Sequence, residues 1–339
     1  MQQEDAGVMH RRRILAAIRS GVPQRTGVYL FLDGDGRVSY VGKSVNLRKR
    51  MASYFQRRWP AVDIRMGEMA AGIRGFRFHE TETELLALLL EDELIKKYLP
   101  RYNTRQKEFL EYRYLVVTKD EYPACMEISH DEVTEGQRIF GPFRDRVFLD
   151  DVTRVVHHVL NLRTCRDSTP VNRCVNFELR RCKGPCRGKT TPLEYAVIVD
   201  RTIDFLNGEE TFVLETLASA MEAAARGHRY EIAAELRDRM AFCTRFCKRQ
   251  RFIQRFKTEA LVLTECGEKE WTHVFVRGRL RADGRTYSGS ELEQVIAESA
   301  ADSAEADARF LLDRAGIVYR YMESTRFPPA CRSTWRKIS

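Results

Sequence analysis

The chain has 339 residues, enough for two or three domains that each bury a core. Its 43% hydrophobic and 31% charged residues suit a globular protein and exclude wholesale disorder. No run approaches the roughly 20 apolar residues of a transmembrane helix, and the basic start at Arg11 to Arg13 lacks the apolar core of a signal peptide. We therefore expect a cytoplasmic protein that does not contact membranes.

The charge and the cysteines each indicate a class of ligand. The 57 Lys and Arg residues exceed the 48 Asp and Glu residues, and a net charge of +9 favours a polyanion such as nucleic acid, although many basic proteins bind none. Nine cysteines are an odd number, and four of them lie between Cys165 and Cys186. In a cytoplasmic chain this crowding indicates a metal site rather than disulfide bonds.

The first clear pattern predicts a β-hairpin. Gly27 to Asp33 alternates as a strand does, a turn signal spans Asp33 to Gly36, and a second strand runs from Arg37 to Gly42. A two-residue loop of Gly34 and Asp35, or a four-residue loop from Asp33 to Gly36, puts Tyr29 directly opposite Tyr40. Other two-residue loops shift the register by two and keep both on one face, whereas a three-residue loop without a bulge separates them.

A helix is predicted directly after the hairpin. Lys43 ends the second strand, and Ser44 or Asn46 can cap the helix that follows. Arg50 lies at the edge of its apolar face. That face consists of Leu47, Met51 and Phe55.

The next strong helical pattern runs from Glu82 to Tyr98. Glu91 falls on its apolar face. The neighbours on that face are Ala87, Leu88, Leu94, Ile95 and Tyr98. A carboxylate in such surroundings is costly unless it is paired, so we expect a metal ion or another cation beside Glu91.

Each of these residues also has a plain structural interpretation. Paired tyrosines usually pack against each other, Lys43 and Arg50 can be solvated, and Glu91 by itself is more often salt-bridged than metal-bound. Together with Asn103, however, two phenols, two cations and a buried carboxylate are the groups that phosphodiester hydrolysis uses.

The same segments resemble a known family. They look like the GIY-YIG nuclease signature at the proper distances, in Gly27–Tyr29, Tyr40–Ser44, Asn46–Arg50, Leu88–Glu91 and Tyr102–Asn103. Valine replaces the isoleucine of both triplets. Leu94–Asn103 and Phe140–Phe143 are similar to the UvrC branch, the excinuclease subunit of bacterial nucleotide excision repair, although Thr26 stands where proline commonly precedes the first triplet.

The resemblance implies one divalent cation, Mg or Mn, on Glu91, and a single acidic ligand argues against a two-metal site. Tyr29 or Tyr40 would help to activate water, while Arg50 and Lys43 stabilise the charged transition state. A phenol with a pKa of about 10 needs a cation, Lys43 or the metal, to act as a base. The implied catalytic residues are Tyr29, Tyr40, Lys43, Arg50 and Asn103.

A strand at Tyr114–Thr118 and a helix at Asp150–Leu160 precede the cysteine cluster. The four cysteines are spaced C-x8-C-x7-C-x3-C, at Cys165, Cys174, Cys182 and Cys186. Four thiolates suit zinc or an iron–sulfur cluster, and the spacing differs from the paired knuckles of a zinc ribbon. The similarity to UvrC chains implies iron–sulfur, with zinc as the second choice and four unligated thiols as the structural alternative.

Thr191 to Phe256 is predicted to be helical, with one break at Gly227. The run Met221 to Met240 is similar to the UVR motif, through which UvrC-type proteins contact the helicase subunit UvrB, although any helical hairpin has a comparable pattern. The implied contact residues are Met221, Tyr230 and Arg237. A basic run follows that either binds DNA or forms a solvated face, made of Arg245, Lys248, Arg249, Arg251 and Arg255.

The tail has no predicted role. Strands are expected at Ala260–Leu263 and Thr272–Arg277, and a helix at Ser290–Leu312. We thus predict an α+β protein in which a GIY-YIG domain, a small antiparallel sheet with helices, precedes a cysteine-cluster segment, a helical hairpin and a mixed tail. The predicted divisions are an N-terminal extension (1–22), the nuclease domain (23–107), a mixed α/β segment ending in the cysteines (108–190), the helical region (191–256) and the tail (257–339).

The length of the tail bears on the expected function. Roughly ninety residues cannot hold both the RNase-H-like nuclease and the helix-hairpin-helix module of a full UvrC, so the chain resembles the truncated, Cho-like form. The resemblance implies nicking of the damaged DNA strand on the 3′ side of a lesion, with UvrB. Two alternatives stay open: a GIY-YIG endonuclease that recognises structure or sequence without UvrB, and a non-catalytic iron–sulfur subunit that binds DNA.

Overall fold

The computed structural model describes residues 2–56, 64–103, 112–132, 138–143, 145–165, 174–266, 270–285, 287–300, 308–324 and 331–338. The chain forms two compact units, Met1–Phe109 and Leu110–Ser339. The predicted α+β class is confirmed, because both units combine helices with small antiparallel sheets. Within the described ranges, no helix is long and apolar enough to cross a membrane.

The first unit is built on an antiparallel sheet whose strands lie in the order β2-β1-β3. Its elements are α1 (Gln2–Gly21), β1 (Gly27–Leu32), β2 (Val38–Ser44), α2 (Leu47–Gln56), α3 (Ile64–Gly72), β3 (Gly75–Glu80) and α4 (Glu84–Tyr98). The predicted N-terminal extension is largely α1. Its side chains Ile14 and Ile18 are buried in the core of this unit.

Strand β1 contributes to two cores, because successive side chains of a strand point to opposite faces. Val28 and Leu30 are buried together with Ile95 of α4. Tyr29 and Phe31 are buried on the other face, with residues of α1 and α2. The sheet therefore lies between helices, and α2 covers the face that carries Tyr29.

The hairpin turn is a three-residue loop followed by a bulge. The backbone N–H of Asp33 donates to the carbonyl of Arg37 at 2.9 Å, so residues 34–36 form the loop. The carboxylate of Asp33 accepts the N–H of Arg37 at 2.9 Å in return. The bulge lies at Ser39, which the register between β1 and β2 skips. It restores the alternation that a three-residue loop without a bulge would break.

The two tyrosines consequently share one face but are not direct neighbours across the strands. Tyr29 lies opposite Gly42, and Tyr40 lies opposite Phe31. The predicted direct pairing of Tyr29 with Tyr40 is wrong by two residues, whereas the predicted common face is correct.

Side-chain caps fix where the two site helices begin. The Asn46 carboxamide accepts the backbone N–H of Lys49 at 2.9 Å, so α2 begins as predicted. Thr83 caps α4 by accepting the N–H of Leu86 at 3.2 Å, so that helix begins two residues later than predicted. The predicted apolar face of α2 is buried, at Leu47, Met51 and Phe55.

The second unit begins with an antiparallel sheet in the order β5-β4-β6. Its first elements are β4 (Arg113–Val117), β5 (Cys125–Ser129), β6 (Arg138–Phe143) and α5 (Arg146–His158). Helix α5 begins four residues before the predicted start, because the carboxylate of Asp145 accepts the N–H groups of Val147 and Phe148.

The middle of this unit is helical, as predicted. Its elements are α6 (Val175–Glu178), α7 (Pro192–Asn207), α8 (Thr211–Arg226) and α9 (Tyr230–Thr258). The predicted break at Gly227 is confirmed, and a second break that the sequence pattern did not predict separates α7 from α8 at Gly208. Helices α7, α8 and α9 pack with α5 around a common core that includes Leu149, Phe205 and Phe246.

The tail forms another antiparallel sheet, in the order β10-β7-β8-β9. Its elements are β7 (Ala260–Cys266), β8 (Glu270–Val276), β9 (Arg279–Gly284), α10 (Gly289–Ala300), α11 (Ala308–Met322) and β10 (Arg332–Arg336). Both predicted strands are present, while β9 and β10 were not expected. The predicted helix Ser290–Leu312 is divided between α10 and α11, and its residues 301–307 lie outside the described residues.

The basic run after the UVR-like motif lies on α9 and makes contacts within the unit. Lys248, Arg251 and Arg255 each form an ion pair with a carboxylate. The guanidinium of Arg249 stacks over the Phe148 ring, 5.5 Å from its centroid. Four of the five cationic groups thus help to pack α9 against its surroundings.

Candidate active site

Three phenols meet on the sheet face that α2 covers. The rings of Tyr29 and Tyr40 have centroids 6.2 Å apart, and the ring of Tyr54 from α2 lies 6.0 and 6.1 Å from them. The hydroxyls of Tyr29 and Tyr54 are hydrogen-bonded at 2.9 Å. Tyr54 was not predicted as a site residue, although it stands one helical turn after Arg50, on the same side of α2.

The glycines of the two triplets are needed for steric reasons. A Cβ at Gly42 would lie 2.5 Å from the hydroxyl of Tyr29 and 2.9 Å from the ring of Tyr40. A Cβ at Gly27 would lie 2.1 Å from the carbonyl oxygen of His79 on β3. Gly42 therefore makes room for the phenols, and Gly27 allows β1 and β3 to pair.

The phenols of Tyr29 and Tyr40 are neutral in this setting. Burial raises the pKa of Tyr29 well above its ordinary value, and the neighbouring phenols raise it further. Burial likewise raises the pKa of Tyr40. The guanidinium of Arg50, 5.1 Å from the centroid of the Tyr54 ring, lowers both pKa values but does not offset burial.

The side chain of Lys43 contacts helix α4. Its ammonium forms an ion pair with Glu84 in the first turn of that helix. The predicted role of Lys43 or the metal in lowering the pKa of a phenol stays a prediction.

Glu91 lies on α4 beside the end of β2. Its Oε1 accepts the backbone N–H of Lys43 at 2.9 Å, which is the one hydrogen bond or ion pair of this carboxylate among the described residues. Burial raises the pKa of Glu91 to about 7, against the lowering effects of Lys43 and Arg50. The predicted apolar surroundings are correct for Ala87, Leu94 and Ile95, which are buried, and wrong for Tyr98, which is exposed.

Asn103 is buried, and its carboxamide is bound to backbone. Its Oδ1 accepts the N–H of Val41 at 2.8 Å, and its Nδ2 donates to the carbonyl of Val41 at 2.8 Å. The side chain thus continues the sheet pattern on the outer side of β2, at the residue between Tyr40 and Gly42. It is directed at this strand rather than among the phenols.

A divalent cation fits the Glu91 carboxylate. Mg²⁺ is commonly held by one or two carboxylates together with waters and substrate phosphates, so such a site needs no cluster of protein ligands. Within the described residues, no three or more His, Cys, Asp or Glu side chains are arranged to hold a metal. A desolvated carboxylate with one hydrogen bond is a suitable single ligand.

The predicted cysteine cluster is only partly described. Burial raises the pKa of the Cys182 thiol, and the other three cysteines of the cluster raise it further, so each of them lies near Cys182. No three of them are positioned as metal ligands in the described residues. Residues 166–173, between the first two cysteines, lie outside that part of the chain. These four cysteines are Cys165, Cys174, Cys182 and Cys186.

The predicted partner-binding residues lie where α8 and α9 form a hairpin. Tyr230 is 65% exposed at the first position of α9, with its hydroxyl 3.0 Å from Nδ1 of His228. Arg237 is exposed and pairs with Asp238 at 3.1 Å. Met221, on α8, is half-buried.

Two phenols on a hairpin, a third phenol and an arginine on the next helix, and a carboxylate on α4 define a GIY-YIG endonuclease domain. The family model described as the UvrC-like GIY-YIG domain matches residues 25–104. The model described as the UvrC/Cho excinuclease middle domain matches residues 112–205. The chain belongs to the UvrC/Cho excinuclease family, as the resemblance in its sequence predicted.

Individual relatives agree with this assignment. The UvrABC system protein C of Moorella thermoacetica is 34% identical over 233 residues, which are 68% of this chain and 38% of the relative. That of Desulforudis audaxviator is 33% identical over 311 residues, 91% of this chain and 48% of the relative. The chain spans 36% to 50% of the length of the curated relatives it matches.

A solved structure also matches the first unit. The GIY-YIG N-terminal endonuclease domain of UvrC from Thermotoga maritima, which binds magnesium as its catalytic divalent cation, is 34% identical to this chain. The match covers 27% of this chain and 97% of that domain, with a TM-score of 0.23.

Proposed function

We propose that this chain is a divalent-metal-dependent DNA endonuclease of nucleotide excision repair, which nicks the damaged strand on the 3′ side of a lesion together with UvrB. The observation that carries the nuclease activity is Glu91, a desolvated carboxylate whose pKa is raised to about 7 beside the phenols and Arg50. Membership in the UvrC/Cho family and a net charge of +9 support DNA as the substrate.

Glu91 is the residue that would hold the cation, Mg²⁺ or Mn²⁺. When bound, the cation supplies Lewis-acid stabilisation of the phosphate and a water of lowered pKa. Glu91 binds it in the ionised form, and the cation's charge offsets the burial that raises the carboxyl pKa. Cation affinity therefore depends on the protonation of Glu91.

Tyr40 is the strand phenol best placed to meet water. Tyr29 is almost wholly buried and is hydrogen-bonded to Tyr54, whereas Tyr40 is partly exposed. A neutral phenol can both donate and accept a hydrogen bond, so Tyr40 orients the attacking water. Arg50 stabilises the negative charge that develops on the phosphate, since its guanidinium is fixed beside the phenols.

Lys43 and Asn103 act in this proposal as positioning residues. Lys43 joins β2 to α4 twice, through its backbone N–H to Glu91 and its ammonium to Glu84. Asn103 holds Val41 from the outer side of β2. Both fix the distance between the phenols of the hairpin and the carboxylate of the helix.

The hairpin of α8 and α9 is the proposed docking site for UvrB, with Met221, Tyr230 and Arg237 as contact residues. Exposed Tyr and Arg side chains are the types that most often dominate binding energy in interfaces. Phosphate contacts carry little information about a lesion, so the partner would supply selectivity for damage.

An iron–sulfur cluster on the four cysteines is proposed as well, with zinc as the second choice. The three thiols that raise the pKa of Cys182 lie near it, which supports a thiolate-bound centre. Protein purified without oxygen is then expected to be brown, with about four irons per chain. Stoichiometric zinc without iron would replace the cluster by a zinc site, and the absence of both would leave four unligated thiols.

The decisive experiment is incision of a duplex with one lesion, each strand end-labelled in turn, with and without UvrB and a divalent cation. We expect one nick, 3′ to the lesion, that requires both additions and is lost in Glu91→Gln. The control is Glu93→Gln, an exposed carboxylate on the same helix, which should cut normally.

The outcomes separate the alternatives. Cutting that does not depend on UvrB would favour an endonuclease that recognises DNA structure or sequence. No cutting under any condition by a folded protein that binds DNA would favour a non-catalytic subunit. Normal cutting by Glu91→Gln would remove Glu91 from the site.

A further inference from the structure

Basic side chains from three separate segments lie near one another on the second unit. Arg154 and His158 lie on α5, Arg181 follows α6, and Arg239 lies on α9. Arg154, His158 and Arg181 are exposed, and Arg239 is half-buried. We call Arg154, His158, Arg181 and Arg239 the basic patch.

The electrostatics of His158 indicate that these groups are neighbours. Its pKa is lowered first by partial burial and then by the charges of Arg181, Arg239 and Arg154, with His157 also contributing. The charged groups that act most strongly on this imidazole are therefore cationic. At ordinary ionic strength such effects fade beyond about 8–10 Å, so the patch is a local concentration of positive charge.

Packing of α5 against α9 brings two of the segments together. Near the start of α5, the centroid of the Phe148 ring lies 5.3 Å from the ring centroid of Phe242 and 6.0 Å from that of Phe246, both on α9. At the end of α5, His157 is buried and its Nδ1 is 3.1 Å from the carbonyl oxygen of Leu162. The next residue, His158, is exposed.

The third segment is placed by the end of α6. The N–H of Arg181 donates to the carbonyl of Asn176 at 2.7 Å, across Arg180, which has a left-handed backbone (φ 55°). The side-chain amide of Asn176 in turn donates to the hydroxyl of Thr164 at 2.9 Å, which joins this segment to the chain that follows α5. Arg180 and Lys183 are also exposed and extend the positive surface.

The charge of the patch is largely uncompensated. Arg154 pairs with Asp151 at 3.2 Å, but in the described part of the chain neither Arg181 nor Arg239 has a carboxylate within ion-pair distance. Clustered like charges repel one another and reduce stability. A bound polyanion offsets that repulsion and releases its own counterions.

We propose that the basic patch binds backbone phosphates of DNA, as a second contact besides the nuclease site. The catalytic residues all belong to the first unit, and the patch belongs to the second. The three arginines of the patch offer cationic groups without an apolar anchor, which is the composition of a phosphate contact rather than the centre of a protein interface. The inference rests on the proposed function in taking DNA as the substrate.

The test is binding of the full chain to a short fluorescein-labelled duplex, followed by anisotropy over a series of salt concentrations. A chelator prevents cutting. The variant Arg181→Gln with Arg239→Gln removes two charges of the patch. The matched control, Arg285→Gln with Arg332→Gln, removes two exposed charges from the C-terminal sheet segments.

We expect the patch variant to bind more weakly and the slope of log affinity against log salt to flatten by roughly 1.8, since each phosphate contact contributes about 0.9. The control should keep the wild-type slope. Circular dichroism and the unfolding midpoint show whether both variants are folded. A folded patch variant with the wild-type slope would overturn the proposal, as would a control that flattens equally.

The same proteins separate this proposal from the nuclease proposal. If the wild type cuts in the presence of a divalent cation and UvrB but the patch variant keeps its slope, the patch fails and the nuclease stands. If the slope flattens as expected but no protein cuts, the patch stands and the nuclease fails.

Discussion

Glu91 is a carboxylate that the fold holds at an energetic disadvantage. Burial raises its pKa to about 7, above the ordinary value of 4.5, so its ionised form is less stable in the folded protein than in water. Each pKa unit corresponds to about 1.4 kcal/mol. A cation would offset this cost, which is why a single carboxylate in this position is suited to binding a metal.

The consequence for stability has a definite sign. Between about pH 4.5 and 7 the folded carboxyl keeps a proton that the unfolded chain has released, so wild-type stability falls as the pH rises through this range. Without metal, Glu91→Gln should therefore raise the free energy of unfolding at about pH 8 by up to roughly 3 kcal/mol. Below about pH 4 the difference should vanish, because both states are then protonated.

Unfolding in the presence of a chelator, at pH values on both sides of this range, measures the effect. Glu93→Gln, the exposed control on α4, should show no such trend. A Glu91→Gln protein whose stability follows that of the wild type at every pH would show that Glu91 is not desolvated.

The hydroxyl of Tyr54 provides a second test at the level of one residue. Tyr54→Phe removes the hydrogen bond to Tyr29 and keeps the ring. We expect a loss of about 1 kcal/mol in stability and slower cutting, because the phenols lose their fixed orientation. Tyr98→Phe, an exposed tyrosine on α4, is the control. Unchanged cutting by Tyr54→Phe would limit Tyr54 to packing.

Among the elements, β2 carries both Tyr40, one of the phenols, and Gly42, which makes room for them. It is an edge strand, so one side of it has no neighbouring strand in its sheet. Asn103 binds that side at Val41, and Lys43 joins the end of the strand to α4. Contacts with β1, Asn103 and α4 thus hold the strand in place. Tyr40 and Gly42 both lie on it, so these contacts also fix their positions.

Gly42 tests how closely β2 and the phenols are fitted. Gly42→Ala would place a methyl group 2.5 Å from the Tyr29 hydroxyl, which must displace a buried ring. We expect a loss of roughly 1–3 kcal/mol in stability and a severe loss of cutting. Gly75→Ala on β3 is the matched control, since its nearest neighbour would be a Leu32 methyl at 3.5 Å. Equal behaviour of the two variants in thermal unfolding and cutting would contradict this account.

For the whole molecule, the proposed catalytic groups belong to one compact unit and the proposed recognition surfaces belong to the other. The phenols, Arg50 and Glu91 belong to the unit Met1–Phe109, while the cysteines, the α8–α9 hairpin and the basic patch belong to Leu110–Ser339. Variants in the second unit can therefore change binding without touching the catalytic groups.

The α8–α9 hairpin allows a test of the proposed UvrB docking site. Tyr230→Ala combined with Arg237→Ala should reduce UvrB-dependent incision by at least about tenfold, since interface residues of these types often contribute more than about 1 kcal/mol each. Glu270→Ala combined with Arg285→Ala, exposed in the C-terminal segments, is the control. Incision titrated against UvrB measures the effect, and a wild-type titration curve for the hairpin variant would place the docking site elsewhere.

Local signals in the sequence were sufficient for most elements of the fold. Alternation and the turn residues predicted the hairpin, the Asn46 cap and the apolar face of α2 predicted that helix, and Gly227 marked one helix break. These features depend on residues within a few positions of one another, where backbone preferences and side-chain caps act directly. Their errors were correspondingly small, such as helix starts displaced by two to four residues.

For the site residues too, the sequence predicted some features and the tertiary contacts decided the others. By itself the sequence determined that the chain has a GIY-YIG signature, that Tyr29 and Tyr40 share a face, and that Glu91 lies on an apolar arc. Only the tertiary structure decided the register, the inclusion of Tyr54, and the contacts of the Lys43 and Asn103 side chains. The reason is physical: the contacts of Tyr54, Lys43 and Asn103 join residues 25 to 62 positions apart, and the register depends on a bulge at Ser39 that forms only where the two strands pair.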